Sequence, residues 1–123
     1  MGWLRRRAAR RRLREVAERI GARDGVVIHE KCYGGGLMPL VLGIVTLRPG
    51  TEQDVGQAQI DAALAAGYSR EGRAPCVPGR PCVFLAAGGL PMMSIETYPA
   101  GKSFPSHGVV PDGLTGVVVS ING

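Results

Sequence analysis

Aromatic side chains, lysine and long apolar runs are all scarce in this chain. Trp, Tyr and Phe together number six in 123 residues, so a core has to be built from Val, Ile, Leu, Met and Ala, packed closely rather than around large rings. No segment approaches the roughly 18 to 20 uninterrupted apolar residues of a membrane-spanning helix. The longest, Leu37 to Leu47, is broken by Pro39 and Gly43. The opening Met-Gly-Trp-Leu runs straight into arginines where an export signal would carry its apolar run, so no secretory signal is visible. Position 6 is Arg6, not the Ser or Thr that follows a myristoylated Gly2. The expectation is a cytoplasmic protein, membrane-associated at most, and exported only if a signal or anchor belongs upstream. Gly-Trp-Leu before arginines is also how the cytoplasmic end of a membrane span reads.

What the chain does have is arginine, and almost all of it at one end. Arg5, Arg6, Arg7, Arg10, Arg11, Arg12 and Arg14 fall within the first fourteen residues. Residues 1–23 hold nine Arg against Glu15 and Glu18, a net +7, and residues 24–123 hold six basic and eight acidic side chains, a net −2. This asymmetry predicts an anionic partner for a basic arm (1–23), either a membrane surface or a nucleic acid, attached to a single near-neutral domain (24–123).

Leu13, Val16, Ala17 and Ile20 recur at i, i+3, i+4 and i+7, which predicts an amphipathic helix stopped by Gly21. Its other face is arginine and glutamate, and Trp3 at its tip suits a headgroup interface. Val26-Val-Ile reads as the start of a strand running to Tyr33, and the three glycines 34–36 read as a turn. Residues 38–47 are apolar on both alternating faces, which predicts a central strand covered on both sides, by the helix, by a loop or by a second copy of the chain. Thr51 reads as the N-cap of a helix over 52–66, with Gly67 as its left-handed stop and Tyr68 closing an apolar contact. Ser69 to Pro81 reads as a loop, followed by a hairpin of 83–86 with 92–98, a long loop 99–114 and a last strand around Val117 to Ile121. The fold class is therefore α+β: a two-layer sandwich of about five mainly antiparallel strands, with helix 52–66 across one face and the basic helix at the N-terminus.

Chemistry-bearing residues are few. Cys76 and Cys82 close a short loop rich in Pro and Gly, a geometry suited to a disulfide, although cytosolic thiols stay reduced. Zinc would need His29, Cys32, Cys76 and Cys82, but Cys-x5-Cys is an atypical spacing and His29 and Cys32 face opposite sides of a strand. Cys32 with His107 as nucleophile and base lacks any local signature. Gly34-Gly-Gly36 lacks the Lys-Ser/Thr ending of a phosphate loop. Glu30 and Glu96 read as separate strand carboxylates facing water. Loop 99–114, with Lys102, Ser103, Ser106, His107 and Asp112, is long enough to be a binding loop.

No metal or cofactor is implied. The function expected is a small non-catalytic interaction module. Its arginine helix, through Trp3 and the seven arginines from Arg5 to Arg14, would sit on an anionic membrane periphery. The domain would bind a protein partner or itself through its sheet or loop 99–114. The alternative is a nucleic-acid-backbone or ribonucleoprotein component, and a Cys32-dependent or His107-dependent enzyme is the third reading.

Overall fold

A computed structural model describes residues 2–35, 37–77, 80–104 and 107–123, and for residues 72–77, 80 and 81 the backbone alone. The helix α1 (Gly2–Arg19) leads into strands β1 (Val26–Gly35) and β2 (Met38–Pro49), helix α2 (Glu52–Ala65), and strands β3 (Ser69–Val77), β4 (Arg80–Ala86) and β5 (Met92–Tyr98). Two-residue strands β6 (Ser103–Phe104) and β7 (Gly108–Val109) precede β8 (Leu114–Asn122). The protein is α+β: among the described residues six strands form one sheet in the order β1-β2-β8-β5-β4-β3, with every neighbouring pair antiparallel. β8 thus lies between two runs of strands that are otherwise not joined.

Both helices pack on the same face of this sheet. Leu13, Val16 and Ala17 of α1, Ile20 just after it, and Val55, Ile60 and Ala63 of α2 share a core with Leu42 and Ile44 of β2, Val119 and Ile121 of β8, Met93 and Ile95 of β5, and Leu85 of β4. The periodic stripe of α1 is therefore used up by the sheet. α2 begins as its sequence predicts, with the Asp54 N–H donating to Thr51 Oγ1 at 3.2 Å. It ends with Gly67 at φ 101° and the Tyr68 N–H donating to Ala63 O. Tyr68 is buried, and its hydroxyl donates to Pro91 O at 2.7 Å; burial raises its pKa against the opposing fields of Arg12 and Arg19.

Arg48 ties these layers together. Its side chain is buried and donates to Thr46 Oγ1, to the carbonyls of Gly21 and Ala22, and to Gln59 Oε1 at 2.6 Å. Gln59 in turn donates from Nε2 to Ile20 O at 2.7 Å. The carbonyls of Ile20, Gly21 and Ala22, just past the end of α1, thus accept from side chains on β2 and α2. Desolvation lowers the Arg48 pKa, and Asp24 partly offsets this.

One feature departs from the sequence expectation. The loop expected from Ser69 to Pro81 is β3 plus the start of β4. β3 is an edge strand, where Pro75 and the bulge at Arg70/Gly72 are tolerated, and these residues hide the period-two pattern. β2 is an interior strand, as expected, second in the sheet between β1 and β8. Its Leu40, Leu42 and Ile44 are buried by the helices, while on the opposite face Val45 is buried and Val41 and Leu47 are half-buried. The cover on that second face comes from a loop, one of the covers expected, through Phe104 and Val110, with β6 and β7 paired as a small hairpin flap. Val45, Tyr98, Phe104 and Val110 make a separate small core beneath it.

Candidate functional site: a cationic end of the sheet

Contacts along α1 fix where its arginines go. Ile20 lies beside Gln59 and Arg48, at the Arg48 end of β2, whereas Leu13 rests against Gly123 and the Leu40 carbonyl at the opposite end. Residues 2–12 therefore continue past the sheet, and every one of them is exposed. At 1.5 Å per residue this overhang is about 16 Å long. Arg12 fixes its base by donating from Nη2 to the Gly89 carbonyl in the β4–β5 turn.

The overhang is electrostatically strained. Arg6 with Arg10, Arg7 with Arg11, and Arg10 with Arg14 are like-charge i,i+4 pairs, each destabilising the helix by about 0.2–0.5 kcal/mol. No acidic residue stands in the first turn to offset the positive end of the helix dipole. Arg7 covers the Trp3 ring with its guanidinium carbon 5.5 Å from the ring centre. Trp3, Arg6, Arg7, Arg10 and Arg14 line a concavity of about 360 Å³ along one flank. Arginines occupy the whole circumference of these turns, and their only large apolar side chains are Trp3 and Leu4, both exposed.

The same end of the sheet carries exposed apolar groups. Leu37 and Met38 stand at the β1–β2 turn, at 105% and 69% relative exposure. Met92 opens β5 across from Asn122, and Tyr33 pairs with Val41; both side chains are about half exposed. The cationic overhang and an apolar rim thus share one end. Periodicity and composition reveal the arginines, but the rim becomes visible only once the strand order is known.

The remaining candidates do not converge on one site. Cys32 is a free thiol on the helix-covered face, opposite Leu42 and packed against the main core. His107 lies on the flap over the other face, so the two are not a nucleophile and base. Glu30, also on the helix side, accepts two hydrogen bonds from Arg23, at 2.6 and 3.0 Å, which hold its carboxyl below the usual range. Glu96 lies on the opposite face and, contrary to the expectation, is buried rather than solvated. It accepts from the Tyr98 hydroxyl and lies 3.5 Å from Cys82 Sγ. The disulfide expected between Cys76 and Cys82 falls on a Cys76 side chain that lies outside the described residues, as Ser106 does.

Lys102, Ser103 and Asp112 are exposed along the flap. The clefts beside α2, of about 260 and 520 Å³, include Glu52 but no histidine or cysteine. Among the described residues no group of three or more His, Cys, Asp or Glu gathers as a metal site, and no helix is long and apolar enough to cross a membrane. No family model, curated protein or solved structure matches this chain.

Proposed function

We propose that the protein is a small non-catalytic module that docks on an anionic membrane surface through its overhanging arginine helix, with the domain carried alongside to meet a protein partner or a second copy. The observation that carries this reading is the shared end: Arg5, Arg6, Arg7, Arg10 and Arg11 are exposed with Trp3 and Leu4 at the end of the sheet where Leu37 and Met38 are exposed. Basic residues near an anionic leaflet contribute about 1 kcal/mol each, and the apolar side chains can enter the interface once charge has brought them there. The body, at net −2, adds no attraction of its own. Its edge strand β1 and the part of the sheet face not under the flap are left for a partner.

One observation favours phosphate backbones instead. The arginines surround the overhang, so it has no continuous apolar face to lay on lipid. Co-sedimentation with phosphatidylserine-containing vesicles at near-physiological salt, with and without competing duplex DNA, separates the two. Deleting residues 1–23 would open the core around Leu13 and Ile20, so the comparison uses Arg→Gln at positions 5, 6, 7, 10 and 11, and separately Leu37→Ser with Met38→Ser. Membrane docking requires that the wild type pellets despite DNA and that both variants are weakened. If DNA strips the protein from vesicles and the Leu37/Met38 variant behaves as wild type, the backbone reading replaces it. If neither ligand holds the chain, both fail.

A further inference from the structure

We propose that His29 and His107 form a two-imidazole site for a late first-row divalent ion, such as Zn²⁺, Ni²⁺ or Cu²⁺, that clasps the flap to the edge strand. His29 lies on β1 directly across from Val45, on the sheet face that the flap covers. His107 follows β6, with its N–H donating to Phe104 O and its ring edge-on to Phe104. The two imidazoles come together from distant parts of the chain, with ring centres 5.2 Å apart and planes inclined at 45°.

That separation is what a shared ion needs. A zinc–nitrogen bond of about 2.0–2.1 Å, added to about 1.1 Å from nitrogen to ring centre, puts the ion about 3.2 Å from each centre. At a tetrahedral angle of about 109° the two centres then stand about 5.2 Å apart. Among the described residues, no ring nitrogen of either histidine is held by a hydrogen bond, so a nitrogen on each ring is free to ligate. His29 is exposed and His107 half-exposed, which leaves a path for the ion and room for water at the remaining positions. Imidazole suits Cu²⁺, Ni²⁺ and Zn²⁺ over Mg²⁺ or Ca²⁺, and Cu²⁺ binds tightest in this order of affinities. The ion closes a bridge between β1, an edge strand with little burial, and a flap that rests on a small core.

The test is titration of the full chain with Zn²⁺ alone, followed by calorimetry and amide exchange, beside His29→Asn, His107→Asn, the double variant and Cys32→Ser. Both histidines are at the surface, so these variants keep the fold. The expected result is one ion per chain, at least about tenfold weaker binding in either single variant, and no further loss in the double variant, because each histidine is useful only with the other. Zn²⁺ should also slow exchange at the Val110 N–H, which bonds Lys102 O across the flap. Cu²⁺ should give a resonance spectrum with coupling to two nitrogens. Wild-type affinity in either histidine variant, loss of binding in Cys32→Ser alone, or the absence of saturable binding overturns the proposal.

Discussion

Replacing Gly116 with alanine tests how the flap is held. An added Cβ would stand 2.6 and 2.9 Å from Cε2 and Cε1 of Phe104, and closer still to Cζ, so the ring cannot stay where it is. It has little room to move, being buried and stacked on Tyr98 at 5.3 Å between centres. Overpacking of this kind costs about 1–3 kcal/mol. A loss of about 2 kcal/mol would lower Tm by about 8 °C in a domain of this size. Phe104→Ala alone removes a buried ring and costs about 3 kcal/mol. In that background the methyl introduced by Gly116→Ala fills space instead of colliding, and the strand gains about 0.5–1 kcal/mol from losing a glycine. The assay is urea denaturation followed by far-ultraviolet circular dichroism, since Trp3 is exposed on the overhang and does not report on the core. Equal costs for Gly116→Ala in the two backgrounds would refute the contact, as would a wild-type midpoint for the single variant.

Arg48→Met takes its donor away from Gln59 Oε1, Thr46 Oγ1 and the Ala22 carbonyl, while Gly21 O keeps the Asp24 N–H, and should cost about 3 kcal/mol in a urea melt. Combining it with Gln59→Leu should cost less than the sum of the two, and additivity would argue against a shared network. Anionic vesicles should raise helical circular dichroism by neutralising the arginine repulsion within residues 2–12, and neutral phosphatidylcholine vesicles should not; an equal response to both would contradict the strain argument. Because Arg23 depresses the Glu30 pKa, the pair contributes above the unfolded pKa, and the contribution is lost as the pH falls through the folded value. Both side chains are nearly a third exposed, so the loss is about 0.5 kcal/mol, and Glu30→Gln should remove that part of the acid dependence. An unchanged acid limb would remove the pair from the account.

The parts of the fold legible in the sequence are those with local causes. α2 is announced by Thr51 at one end and Gly67-Tyr68 at the other, and the stripe Leu13 to Ile20 marks the half of α1 that is buried. β3 is not legible, because an edge strand needs neither alternation nor freedom from proline, and Pro75 there imitates a loop. Arg48 reads as a turn residue beside Pro49-Gly50, and only the approach of Gln59 from α2 makes its burial tolerable. The arginine cluster is plain in the sequence. Its alliance with Leu37 and Met38 is not, since it depends on which end of the sheet α1 overhangs. The approach of His29 to His107 is likewise a product of topology, with no spacing that could announce it.

The place of β8 decides the order in which this molecule can assemble. β1 with β2, and β3 with β4 and β5, are neighbours in sequence and can close through short connections. The two runs acquire a common sheet only when β8 enters between them and pairs with β2 on one side and β5 on the other. Until then the stripe of α1 has only part of its floor, because Val119, Ile121 and the Gly123 backbone complete it. Pairing of β2 with β8 closes a long stretch of chain, so folding should be slow for a chain this short. Truncating Val119 to alanine should slow folding, whereas changes in the exposed strand β1 should act mainly on unfolding.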